Sequence, residues 1–176
     1  MIFSIIVILG CFFGYLIARL TKEELKKGLV YFKILELFIL ALLPFIFLYH
    51  SFNIFFFILG MLFGFVFRYE YFYFGVGFFS SFLNKDLNFL TSSLIFIYGL
   101  PYGSVLFFVK KFRMLFYNVV LFFIPFLIYY LNYDFLSFSA GGLLVLFFMN
   151  FYRLFNKWIY FMKFILNLQN FYKLNI

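Results

Sequence analysis

Long apolar runs alternate with short polar gaps in this chain, and the fourteen Lys and Arg residues are confined almost entirely to every other gap. The first, third, fifth and seventh gaps hold Arg19, Lys22, Lys26, Lys27, Lys33, Arg68, Lys110, Lys111, Arg113, Arg153, Lys157, Lys163 and Lys173; the remaining gaps hold only Lys85. A chain that crosses a bilayer repeatedly retains positive charge in its cytoplasmic connections, so this alternation predicts membrane insertion and orientation together. Composition agrees. With 68% hydrophobic and 11% charged residues, too little polar surface exists to cover a water-facing globule.

A transmembrane helix needs about 20 apolar residues. Six runs qualify: Ile2–Ala18, Ile34–Tyr49, Phe52–Phe67, Leu87–Val109, Met114–Leu131 and Phe135–Tyr152. A seventh, Tyr69–Leu83, reaches only ~22 Å as a helix and reads either as a short span or as a re-entrant segment. Charge decides between them. If it crosses, thirteen basic residues face one side and one faces the other; if not, every later element inverts and the split becomes seven against seven. The expected fold is therefore an all-α polytopic bundle of seven spans over residues 1–153, with the N-terminus outside and the C-terminus cytoplasmic. Arg68 and Lys85 would snorkel to accommodate the short span.

No basic residue precedes the first apolar run and several follow it, which describes an uncleaved first span rather than a signal peptide. Thr21-Lys22-Glu23-Glu24 has the pattern of a capping box, and a helix starting there would continue through Gly28 into the second span. The C-terminal segment 154–176 is patterned as an amphipathic helix. Asn156, Tyr160, Lys163, Asn167 and Asn170 share a face, while Phe155, Ile159, Met162 and Leu166 cover the rest. It is expected to lie in the inner interface, anchored by Trp158, the alternative being a helix packed on the cytoplasmic end of the bundle.

The candidate functional residues concentrate in the fifth span. Gly99-Leu100-Pro101-Tyr102-Gly103 interrupts its middle, and Thr91, Ser92, Ser93 and Tyr98 add hydroxyls nearby. Breaks of this kind expose carbonyls that line transport paths, although most intramembrane prolines produce only kinks. Pro44 and Pro125, near the middles of the second and sixth spans, fit either rocking or gating or a static bundle. Glu36 is an acidic residue inside the second span. Such a residue is a functional candidate by default, here with Lys33 within pairing distance along the helix. Together Glu36, Thr91, Ser92, Tyr98, Gly99, Pro101, Tyr102 and Gly103 form the expected path or ligand lining.

Gly10/Gly14 and Gly60/Gly64 are Gly-x-x-x-Gly pairs. With Gly75, Gly77, Ser137, Ser139, Ala140, Gly141 and Gly142, they predict close helix packing, either within the chain or between chains. The single cysteine, Cys11, reads as a packing residue. Arg68 and Glu70 read as an interfacial ion pair, His50 as an interfacial anchor, and Asp86 and Asp134 as solvated loop residues.

Enzyme classes find little support. The run Gly14-Tyr15-Leu16-Ile17-Ala18 resembles the first span of seven-span acyltransferases, but their Gly-Gly-Lys-Gly phosphate loop and Gly/Asn-rich loop are absent. No Asp lies within a span and only one His exists, which excludes the patterns of intramembrane aspartyl and zinc proteases. No cofactor or metal is expected. The expected partners are membrane lipids, with anionic headgroups at the cytoplasmic face, and a membrane-protein partner or second copy; no nucleic acid is expected. The plasma membrane is the expected location, although the same charge rule operates in some other membranes. The function expected is that of a small permease or membrane subunit of a transport complex. A structural or assembly protein, or a lipid-modifying enzyme, is the alternative.

Overall fold

The computed structural model describes residues 2–127 and 134–174, with the side chains of 22–27 and of everything beyond Asn156 outside the description. Among the described residues seven α-helices follow one another: α1 (Ile2–Leu20), α2 (Lys22–His50), α3 (Ile54–Val66), α4 (Glu70–Ser80), α5 (Lys85–Phe108), α6 (Arg113–Phe123) and α7 (Leu136–Leu174). Two 3₁₀ turns, Ser81–Leu83 and Ile124–Leu127, extend α4 and α6. No strand occurs among the described residues. Four helical segments are long and apolar enough to cross a bilayer: Phe3–Leu20, Gly28–His50, Lys85–Phe108 and Leu136–Asn156.

Three helices are short, where the sequence pointed to one. Besides α4, α3 has 13 residues and α6 has 11. Regular α6 ends at Phe123 because Pro125 lacks an N–H and disfavours α-conformation at the residue before it. The last part of the expected span Met114–Leu131 falls outside the described residues.

Polar side chains define the ends of the helices. Asn53 Oδ1 accepts from the backbone N–H groups of Phe55 and Phe56 at 3.0 and 3.3 Å, and Asn84 Oδ1 accepts from Asp86 and Leu87 at 3.1 and 3.2 Å. Both satisfy donors that the first helical turn cannot. Thr21 does not form the expected capping box: its hydroxyl donates backward to Ile17 O at 3.0 Å, closing α1 instead of opening α2. Helix α2 nonetheless runs from Lys22 through Gly28 to His50, as its sequence predicts. Helix α7 continues without a break across the 153/154 boundary to Leu174. The amphipathic face expected from Tyr160 onward lies outside the described side chains.

Ring pairs and hydrogen bonds give each helix a direction. Phe3 meets Phe89 and Tyr15 meets Phe107, so α1 and α5 are parallel. Phe56 meets Phe135, and Gly64 lies against Val145, so α3 and α7 are parallel. Against α5, Tyr71 pairs with Tyr102 whereas Asn88 Nδ2 reaches Phe78 O, so α4 is antiparallel to α5. Against α7, Glu70 meets Asn150 and Ser80 meets Phe135, which gives the same result. Phe12 meets Phe116 and Tyr15 meets Phe112, so α6 is antiparallel to α1. Ser137 Oγ donates to Ser51 O at the end of α2 while Lys33 and Arg153 line one cavity, so α2 is antiparallel to α7. Even-numbered helices thus run opposite to odd-numbered ones. One consequence is that Arg19, Lys33, Arg68, Lys110, Lys111, Arg113 and Arg153 gather at one end of the bundle.

One of the two shortest helices, α4, is the centre. Nine of the eleven residues of α4 are buried, and α5, α6 and α7 surround it. Gly75 sits on the Phe122 carbonyl of α6, Gly77 against the Phe47 ring of α2, and Ser139 Oγ of α7 donates to Tyr73 O at 2.7 Å. A helix enclosed by protein need not match the thickness of the hydrocarbon core, because its ends are covered by neighbours rather than lipid.

Candidate functional site

Glycine brings the long helices together. A Cβ on Gly10 or Gly14 would collide with the carbonyls of Phe96 and Leu100; on Gly99 or Gly103 it would strike the backbone of Gly10, Cys11 and Tyr15. These four glycines interlock α1 and α5 into one seam, and Ser104 Oγ bridges Gly14 O and Leu100 O at 3.0 Å each. Helix α5 is continuous through Pro101. The Gly99–Gly103 segment is therefore a contact surface of an intact helix and exposes no broken half-helix. On the other side Gly60 meets Phe138 O, Gly141 meets Phe57 O, and Gly142 accommodates the Tyr73 ring. All of these close contacts lie within the chain.

The expected lining residues separate into four places. Gly99 and Gly103 belong to the α1/α5 seam, and Pro101 is buried between them. Tyr98 and Tyr102 stack at 5.6 Å and join Tyr71 of α4, whose ring lies 5.5 Å from Tyr102. Thr91 and Ser92 are buried nearer the other end of α5, with Ser92 Oγ donating to Asn88 O. Of the eight, only Glu36 lines the cleft described next to α7 below.

That cavity is a cleft of about 640 Å³ between α2, α5 and α7 at the basic end of the bundle. Leu29, Leu37, Leu40, Val105 and Phe108 supply apolar wall. Its polar residues are Lys33, Glu36, Asn150, Arg153 and Asn156. Glu36 is 5% exposed, and its Oε2 accepts from Lys33 Nζ at 2.7 Å, the pairing that the i, i+3 spacing predicts. Its other oxygen, Oε1, has no hydrogen-bond partner among the described residues. Across the cleft Asn150 Nδ2 donates to Glu70 Oε1 at 3.2 Å. Arg68 and Glu70 do not form the expected pair: Arg68 Nε donates to Phe65 O at 3.1 Å, and the turn directs Glu70 to α7 instead.

Asn150, Arg153 and Asn156 are cleft residues that the sequence did not single out together. Their spacing of three places them on adjacent turns of one helical face, and this was the available signal. Deeper in the bundle, Thr91 Oγ1 also has no hydrogen-bond partner among the described residues. His50 packs edge-on against the Tyr49 ring, and no group of metal-ligating side chains occurs among the described residues. Comparison of the chain with protein-family profiles, curated proteins and solved structures finds no match to any of them.

Proposed function

We propose that this multi-pass membrane protein is a small permease, or the membrane subunit of a transport complex, whose ligand enters the cleft between α2, α5 and α7 from the basic face. One observation carries the reading: an acidic side chain, Glu36, is held inside an apolar helix at a cavity large enough for a small molecule. Ionisable groups are expensive at membrane depth and mark ligand or ion paths. The alternating helix directions support seven crossings: a fourth segment that turned back would make α5 antiparallel to α1. The positive-inside rule then makes the cleft cytoplasmic, and on this reading the host is the plasma membrane. On this reading the end of α7 lies along the inner interface, among anionic headgroups.

The glycine pairs lend little support to an assembly role, because their grooves are filled by helices of the same chain. Above the cleft, Leu43, Phe47, Phe74 and Tyr98 close the core toward the opposite face. Carriage therefore requires a second arrangement in which this plug parts.

Cysteine accessibility tests the reading. In a Cys11→Ser background, Val105→Cys, at a partly exposed position in the cleft, is expected to react with a water-soluble maleimide added at the basic face. It is also expected to react, more slowly, from the opposite face. Reaction from the basic face alone refutes carriage, and reaction from neither face refutes the cleft as an entry.

A further inference from the structure

The cleft combines three things that one ligand class satisfies together. Its walls are largely apolar, it opens at the end of the bundle where basic residues gather, and its charged side chains are Lys33, Arg153 and Glu36. Lys33 is 43% exposed and spends one N–H on Glu36, leaving further donors. Arg153 is exposed at the cleft and forms no ion pair among the described residues. Its guanidinium presents a planar fork of donors matched to phosphate oxygens. Glu36 contributes the opposite requirement. It commits one oxygen to Lys33 and has no hydrogen-bond partner among the described residues for the other, so a ligand carrying an N–H or O–H near its anionic group completes the site.

We infer that the cleft binds a phospholipid of the inner leaflet whose headgroup carries a hydroxyl or ammonium donor. The phosphate lies between Arg153 and Lys33, the headgroup donor lies on Glu36, and an acyl chain runs along Leu29, Leu37, Val105 and Phe108. This assignment rests on the cleft being the ligand site proposed above and adds the ligand's chemistry. Charge complementarity favours it over an apolar occupant: a hydrocarbon alone, or an apolar helix of another protein, would leave Arg153 and Glu36 facing nothing that bonds to them. A simple cation is disfavoured because both carboxylates beside the cleft are already engaged, Glu36 by Lys33 and Glu70 by Asn150, with the cations Lys33 and Arg153 next to them. The donor requirement separates headgroups sharply. Phosphatidylethanolamine and phosphatidylglycerol supply N–H or O–H groups, whereas phosphatidylcholine ends in a quaternary ammonium that supplies none.

The test is native mass spectrometry of the full chain released from nanodiscs containing equimolar phosphatidylglycerol, phosphatidylethanolamine, phosphatidylcholine and diacylglycerol. The expected result is retention of one phosphatidylglycerol or phosphatidylethanolamine, about tenfold over phosphatidylcholine, with diacylglycerol absent. Arg153→Gln should lower phospholipid retention about tenfold. Glu36→Gln should erase the discrimination against phosphatidylcholine while retaining total phospholipid. Inorganic phosphate at millimolar concentration should not displace the lipid; displacement assigns the site to free phosphate and overturns the inference.

Val30→Trp at the half-exposed rim distinguishes failure of the phosphate assignment from failure of the cleft itself, with a melting curve to establish that it folds. If it abolishes lipid retention but Arg153→Gln and Glu36→Gln leave retention and selectivity unchanged, the cleft is a ligand site and the phosphate assignment is wrong. If folded Val30→Trp retains lipid as the parent does, the lipid is ordinary annular lipid and the cleft reading fails with it.

Discussion

Replacing Gly99 by Ala adds one methyl group to the seam between α1 and α5, where backbone meets backbone. The new Cβ would lie 2.6 Å from Cys11 N and 2.9 Å from the Gly10 carbonyl carbon, both backbone atoms that no rotamer change can move aside. Ordinary contact begins near 3.4 Å, so the helices must separate locally by roughly 0.8 Å, the difference between 3.4 and 2.6. Overpacking a tight contact costs about 1–3 kcal/mol, and a backbone-on-backbone seam belongs at the upper end. Alanine returns up to ~1 kcal/mol through helix propensity. The expected net loss is about 2 kcal/mol, measured as equilibrium unfolding of the purified protein in mixed micelles. Gly28→Ala is the control, since its Cβ would meet only the Phe32 ring at 3.7 Å. That variant should be neutral or gain up to ~1 kcal/mol. If the two variants unfold within about 0.5 kcal/mol of each other, close α1/α5 packing is not what these glycines provide.

Ser137→Ala removes a hydroxyl that accepts from Asn53 N and donates to Ser51 O, each at 2.8 Å, and should cost about 1–3 kcal/mol in the same unfolding assay. Lys110 has a φ of 58° where the α5–α6 turn closes through Lys110 N to Phe107 O and Lys111 N to Leu106 O. Glycine is the residue suited to that position, so Lys110→Gly should raise unfolding stability by about 1 kcal/mol. Lys33→Met strips the partner from a buried carboxylate and should destabilise by about 1–3 kcal/mol, less than for a fully enclosed pair because Lys33 is 43% exposed; Glu36→Gln added to it should restore most of the loss. Single cysteines at Arg68 and Lys85, again with Cys11→Ser, should be labelled from opposite sides of sealed vesicles; labelling from one side contradicts a crossing by α4.

Charge and hydropathy carried the reading of the fold far, because membrane insertion depends on local sums along the chain. The basic residues indicated the parity of the helices, and Gly10/Gly14 and Gly60/Gly64 identified two packing faces without their partners. Tertiary context limited the rest. Gly99 and Gly103 have the same four-residue spacing as the pair they meet on α1, yet Pro101 between them suggested a break; the interlock becomes evident only with α1 beside α5. Likewise Tyr69–Leu83 looked marginal by length, since length measures fitness for lipid and says nothing of enclosure by other helices. Within the cleft, Lys33 and Glu36 were legible from their spacing. Asn150 and Arg153 join them only because α2 and α7 run antiparallel, which places residues more than a hundred positions apart at one depth.

The central position of α4 has a bearing on how the chain is made. Most of its packing partners lie in α5, α6 and α7, which leave the ribosome after it. When Glu70–Ser80 first emerges, Cys11 of α1, Phe47 of α2 and the neighbouring rings of α3 are there to receive it. An eleven-residue segment is a poor substrate for insertion on its own hydrophobicity. Its orientation is therefore settled late, by helices that come after it, and a nascent chain interrupted before α7 holds its future core as the least committed part of the protein.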